Sequence, residues 1–129
     1  MGRALIVDDE ADARQFIRAV LEPDGWEIAE AENGQTGLEQ ARAFKPDLVI
    51  LDIQMPEQGG FTMFNELKKE PELGNCKVIM LTGVREKTGL GFSGEEMGEF
   101  YGTEPDAYLE KPVQPGALKR VINRVTGND

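Results

Sequence analysis

The segment Asp47–Asp52 places the strongest constraint on the fold of this chain. It consists of four consecutive apolar residues, Leu48–Leu51, between two aspartates. An apolar run without alternation is typical of a strand that is covered on both faces, as in a parallel sheet with helices on each side. The segment therefore predicts a central strand whose carboxyl end carries Asp52.

Strand and helix patterns alternate along the chain. Short apolar runs predict further strands at Arg3–Val7, Trp26–Ala31, Lys77–Thr82 and Asp106–Glu110. Apolar residues at helical spacing predict helices at Ala11–Leu21, Gln35–Phe44, Phe61–Lys69 and Ala117–Val125. In the first helix the predicted buried stripe is Ala13, Phe16, Ile17, Val20 and Leu21. This alternation implies right-handed crossovers, and therefore an α/β domain with a parallel sheet and helices on both faces.

The connection Gly83–Pro105 departs from this pattern. It contains six glycines, the charged run Arg85–Lys87 and one weak helical stretch, Glu95–Tyr101. We predict a partly mobile connection with a short or displaced helix. Gly89–Gly94 matches G-x-G-x-x-G, but it does not join the first strand to its helix, so it predicts no dinucleotide site.

The composition excludes several classes of function. With 14 basic and 24 acidic residues, the net charge of −10 disfavours direct binding to nucleic acid or an anionic membrane. The chain has no histidine, which excludes Ser-His-Asp catalysis and imidazole metal sites. Its single cysteine, Cys76, cannot form an internal disulfide, and no signal peptide is visible. We therefore expect a cytoplasmic protein.

Functional side chains follow four of the predicted strands. Asp8 and Asp9 follow the first strand. Asp52 ends the third strand, Thr82 ends the fourth, and Lys111 follows the fifth. Ligands of open parallel sheets gather at the carboxyl ends of the strands. Crowded carboxylates repel one another, and a hard divalent cation together with a nearby ammonium group relieves this repulsion. Three carboxylates, one Mg²⁺ and one lysine sum to zero charge, which suits a site that receives a phosphoryl group on a carboxylate.

The chain resembles a response-regulator receiver domain. The resemblance spans the whole chain in order and rests on Asp8-Asp9-Glu10, Asp52 followed by Met55-Pro56 and Gly60, Thr82, Tyr108 and Lys111-Pro112. It implies a five-stranded parallel sheet of order 2-1-3-4-5. It also implies that Asp52 is the phosphoacceptor, that Asp8, Asp9 and Asp52 bind Mg²⁺, that Lys111 contacts the phosphoryl group, and that Thr82 and Tyr108 form a switch pair.

The resemblance also implies the partners. A sensor histidine kinase or a histidine phosphotransfer protein would supply the phosphoryl group, and a downstream target protein would read the changed surface. A homodimer could form through the fourth helix, the fifth strand and the last helix. The lengthened segment between Thr82 and Tyr108 leaves partner choice and dimer mode open. We expect residues 1–129 to form a single stand-alone domain, with the N-terminal piece of a longer protein as the alternative.

Other interpretations of these residues remain open. Asp9 could instead be the N-cap of the first helix, and Tyr108 could be a core residue. The protein could be a binding module that acts regardless of phosphorylation. It could also be a metal-dependent phosphatase with Asp52 as nucleophile, similar to haloacid-dehalogenase enzymes, although their D-x-D pattern is missing after Asp52. The preferred hypothesis is a switch that is not an enzyme acting on a diffusible substrate.

Overall fold

The computed structural model describes residues 2–53, 60–73, 75–82, 105–111 and 113–127. Met55-Pro56, Pro112 and the predicted helix Glu95–Tyr101 lie outside these residues, as does all of the connection Gly83–Pro105 except its final proline.

The strands of the described residues form one parallel five-stranded sheet. They are β1 (Arg3–Val7), β2 (Glu27–Ala31), β3 (Leu48–Asp52), β4 (Lys77–Thr82) and β5 (Ala107–Glu110). Their spatial order is β2-β1-β3-β4-β5, which confirms the order implied by the resemblance. Every residue of β3 is buried, as its continuous apolar run predicts for the middle of a covered sheet.

Helices cover both faces of this sheet. They are α1 (Ala11–Leu21), α2 (Gly34–Phe44), α3 (Gly60–Lys69) and α4 (Pro115–Thr126). On one face α2 and α3 bury Leu38 and Phe64 in a core with Val49. On the other face α1 and α4 bury Ile17 and Leu118 in a second core. Among the described residues, no helix is both long enough and apolar enough to cross a membrane.

The prediction that Phe16 belongs to the buried stripe of α1 is wrong. Its side chain is 37% exposed, whereas Ile17, Val20 and Leu21 are buried. At 3.6 residues per turn, Phe16 lies roughly 90° around the helix from the centre of that buried set. The apolar stripe of α1 is therefore narrower than the sequence spacing suggests.

Lys45 ends α2 in a strained backbone conformation. It has a φ of 53°, in the left-handed region, while its N–H donates to the Ala41 carbonyl at 2.8 Å. Lys45→Gly is expected to raise the free energy of unfolding by about 0.5 kcal/mol, because glycine adopts this conformation without a Cβ penalty. The lost ion pair with Glu72, at 3.7 Å and exposed, contributes little. Urea denaturation would measure the difference. Lys69→Gly, at the end of α3, is the control and should instead lower stability.

Trp26 and Cys76 lie at the amino edge of the sheet, where both line an open cavity of about 550 Å³. The Cys76 side chain is buried, and this burial raises the pKa of its thiol to about 11. The thiol is therefore protonated at neutral pH.

Candidate functional site

The strand register brings the polar strand ends to one edge of the sheet. Val7 pairs with Leu51, Asp52 pairs with Leu81, and Thr82 pairs with Glu110. Residues that end or follow these strands consequently share the carboxyl edge. The predicted convergence of Asp8, Asp52 and Lys111 is present in the structure.

Two carboxylates of this edge are buried beside the ammonium group of Lys111. Asp8 is 0% exposed and Asp52 is 2% exposed. The Nζ of Lys111 lies 3.1 Å from Asp8 Oδ2 and 3.3 Å from Asp52 Oδ2. Buried carboxylates are costly unless they are paired with a cation. Lys111 therefore provides the counter-charge that lets both acids remain in the interior.

The charge state of Lys111 depends on these neighbours. Burial alone would lower the pKa of Lys111, but the charges of Asp52 and Asp8 outweigh this effect and raise it above the ordinary lysine value. Glu10 adds a third, longer contact, with its Oε1 at 3.8 Å from Nζ. The lysine is consequently a permanent cation at neutral pH.

Hydrogen bonds fix Asp8 in its position after β1. Its N–H donates to the Ala31 carbonyl at 3.1 Å, and its Oδ1 accepts from the Glu10 N–H at 3.0 Å. Its carbonyl accepts from Arg14 Nη1 at 2.6 Å. Both backbone polar groups and both carboxylate oxygens of Asp8 are thus engaged, the second oxygen by Lys111.

The N-cap position of α1 is occupied by Glu10 and not by Asp9. Glu10 has extended backbone angles and makes no side-chain hydrogen bond to a helix amide. The capping interpretation of Asp9 is therefore wrong, and the exposed Asp9 carboxylate is not used to start the helix.

Oxygen ligands suited to a divalent cation surround the turn after β1. One carboxylate oxygen from each of Asp8, Asp9 and Glu10 lies within 4.8 Å of the others. Mg²⁺ prefers such hard oxygen ligands, so the donor chemistry fits this ion. Asp9 and Glu10 are exposed, which leaves the cluster open to solvent. Glu10 was part of the sequence motif, but no metal role was predicted for it because spacing alone does not show which way a side chain points.

Thr82 and Tyr108 lie on neighbouring strands. Met80 pairs with Tyr108, and side chains alternate along a strand, so Thr82 and Tyr108 belong to the same face of the sheet. The Thr82 hydroxyl donates to the Leu109 carbonyl at 3.5 Å, a long bond. Tyr108 is half-buried and packs against the core beneath α2 and α3. Thr82 thus ends β4 at the carboxyl edge, whereas Tyr108 lies two residues before the end of β5 and contacts the core.

Comparison with known proteins gives a consistent result. Residues 4–123 match the model of the response regulator receiver domain. The chain is 37% identical to protein PilH of Pseudomonas aeruginosa, with 97% of this chain and 98% of that protein covered. It is 31% identical to chemotaxis protein CheY of Thermotoga maritima, with 96% and 97% covered.

A longer relative and a solved structure extend this comparison. The chain is 36% identical to the phosphate regulon transcriptional regulatory protein PhoB of Pseudomonas aeruginosa, covering 97% of this chain but only 53% of that protein. The crystal structure of a response regulator receiver domain protein from Clostridium thermocellum has a TM-score of 0.81 and 29% identity, covering 98% of this chain and 95% of that one. The chain therefore spans nearly all of some relatives and about half of another.

Proposed function

Because the chain belongs to the response regulator receiver domain family of two-component signalling, we propose that it is a phosphorylation-activated switch with Asp52 as phosphoacceptor. Receiver domains are not conventional enzymes, and the reaction here would modify the protein itself. The observation that carries the proposal is the buried Asp52 carboxylate, held 3.3 Å from the Lys111 ammonium at the carboxyl edge of the sheet.

In the proposed reaction, an oxygen of Asp52 attacks the phosphorus atom of a phosphohistidine. A P–O bond forms as the P–N bond breaks, and the imidazole leaves with the electron pair and takes up a proton. This chain has no histidine, so the donor is another molecule, a sensor histidine kinase or a histidine phosphotransfer protein. Lys111 lies close enough to Asp52 to neutralise the oxygens of the bound phosphoryl group.

Asp8 and Asp9, together with Asp52, would hold Mg²⁺ at this site. When bound, the ion supplies positive charge that stabilises the transferring phosphoryl oxygens. The clustered carboxylate oxygens at the turn after β1 support the roles of Asp8 and Asp9. Asp52 is not part of that cluster and is included because its carboxylate lies beside the same Lys111 ammonium group as Asp8. Glu10 lies at the solvent side of the same cluster and extends its negative charge.

The proposed signal is a change in the surface around Thr82 and Tyr108. The bound phosphoryl group draws in the Thr82 hydroxyl, whose present bond to Leu109 is long and easily exchanged. Tyr108 then turns inward, and a downstream target protein or a second copy of the chain binds the altered face. The same proposal includes a single receiver domain over residues 1–129 and a location in the cytoplasm.

The test is intact-mass analysis of the wild-type protein after incubation with phosphoramidate, with Mg²⁺ and with EDTA. Small donors replace the unknown kinase. We expect one phosphoryl group to be added only with Mg²⁺, and hydroxylamine to remove it, because an acyl phosphate reacts with that nucleophile. An absent adduct would reject the proposal in favour of a phosphorylation-independent binding module. Sustained turnover of p-nitrophenyl phosphate would instead favour the phosphatase.

A further inference from the structure

Arg14 connects the turn after β1 to the neighbouring strand β2. Its Nη1 donates to the Asp8 carbonyl at 2.6 Å, and its Nε donates to Glu30 Oε1 at 3.0 Å. The two side chains are only 17% and 26% exposed. Since a guanidinium group is planar and rigid, it holds two acceptors at a fixed separation.

Glu30 also binds a second arginine, Arg18, and each arginine uses a different carboxylate oxygen. Its second oxygen, Oε2, accepts from Arg18 Nε at 2.6 Å. Burial would raise the pKa of Glu30, but the hydrogen bonds from Arg18 and Arg14 outweigh it and lower the pKa below its ordinary value. The carboxylate is therefore ionised at neutral pH, and both arginines remain bound to it.

The Asp8 carbonyl belongs to the peptide group that joins Asp8 to Asp9. A bond from Arg14 to this oxygen fixes the plane of that peptide and with it the direction in which Asp9 leaves the strand. The next amide, that of Glu10, donates to Asp8 Oδ1 at 3.0 Å. Arg14 therefore fixes one of the two peptide planes of the acidic turn, and the Glu10 amide fixes the other.

We propose that Arg14, held by Glu30, is a positioning residue that presents Asp8 and Asp9 to Mg²⁺. This inference rests on the magnesium site of the proposed function. The competing explanation is that Arg14 only connects helix α1 to strand β2 and has no role in Mg²⁺ binding. Arg18 separates the two explanations, because it binds the same Glu30 carboxylate and also Glu22, whereas the Asp8 carbonyl is bound by Arg14.

The experiment compares wild type, Arg14→Ala and Arg18→Ala in two measurements. Calorimetry gives the Mg²⁺ dissociation constant, and hydrogen exchange followed by NMR gives the protection of the Glu10 amide without metal. Trp26 fluorescence is unsuitable because Trp26 lies at the opposite edge of the sheet. Arg14→Ala should weaken Mg²⁺ binding about tenfold and speed exchange of the Glu10 amide, whereas Arg18→Ala should leave the dissociation constant within about twofold.

Glu30→Gln is a second variant that keeps the size of the side chain and leaves Arg14 in place. By removing the charge that holds the guanidinium, it should weaken Mg²⁺ binding about threefold. Glu30→Gln therefore tests the positioning role even if Arg14→Ala does not fold.

Two results would overturn the positioning role alone. One is a wild-type Mg²⁺ affinity in both Arg14→Ala and Glu30→Gln. The other is a loss of Mg²⁺ affinity in Arg18→Ala that equals the loss in Arg14→Ala. A wild-type protein that binds no Mg²⁺ would overturn this inference together with the proposed magnesium site. The phosphoramidate reaction distinguishes failure of the positioning role from failure of the proposed function, because a wild type that is labelled only with Mg²⁺ retains that function even if Arg14→Ala and Glu30→Gln bind Mg²⁺ normally.

Discussion

Asp52→Asn is expected to abolish phosphoryl transfer to the protein and, without Mg²⁺, to raise its free energy of unfolding by about 1 kcal/mol. The amide has no anionic oxygen to attack phosphorus, so the acceptor is lost. Stability rises because Asp52 and Asp8 are both buried and share one ammonium group. Removing one of two neighbouring negative charges relieves repulsion, and the asparagine oxygen still accepts a hydrogen bond from Lys111.

Intact-mass analysis with phosphoramidate and urea denaturation would measure the two effects. Asp47→Asn is the matched control, since Asp47 directly precedes the same strand but is exposed at the opposite edge of the sheet. This control should be labelled like wild type and should gain no stability. A phosphoryl group that still attaches to Asp52→Asn would place the acceptor elsewhere.

Lys111→Met is expected to lower the free energy of unfolding by about 3 kcal/mol at neutral pH without Mg²⁺. Methionine preserves much of the apolar stem but removes the charge beside Asp8 and Asp52, which are 0% and 2% exposed. Both buried carboxylates then lose the Lys111 ammonium group that lies beside them. Added Mg²⁺ should stabilise this variant more than wild type, because metal binding to the folded state replaces part of the missing charge.

The loss of stability caused by Lys111→Met should also depend on pH, and its direction follows from the pKa of Lys111. The pKa of Lys111 is higher in the folded protein than its ordinary value of 10.5. Its contribution to stability is therefore complete below pH 10.5 and disappears as the pH rises through the raised value. The difference between wild type and Lys111→Met should narrow over that alkaline range. Lys119→Met, which removes an exposed pair with Asp24 at 3.5 Å, should change stability by less than about 1 kcal/mol at any pH.

The sheet could be predicted well because most of its strands consist of continuous runs of apolar residues. β1 and β4 begin and end at the predicted residues, while β2, β3 and β5 each start one residue later than predicted. Helix ends were less accurate. α4 begins at Pro115, two residues before its predicted start, because a proline at the first helical position carries no apolar signal.

The meeting of Asp8, Asp52 and Lys111 was predictable for a different reason. Parallel strands share a carboxyl edge, so residues that follow them converge whatever the detail of the turns. The support that Arg14 gives to Asp8 was not predictable. It depends on how α1 lies against β2, and the pattern of apolar residues contains no information about which arginine reaches a carbonyl. Phe16 was misplaced because spacing alone does not give the width of a buried stripe.

The state of Cys76 makes this protein convenient for spectroscopy. A buried thiol with a pKa of about 11 has almost no thiolate at neutral pH, and thiolate is the species that reacts with maleimides and disulfides. A second cysteine placed on the exposed face of α4 would therefore be alkylated selectively, without removal of the native one. A fluorophore attached there could follow the proposed change of surface in the wild-type background.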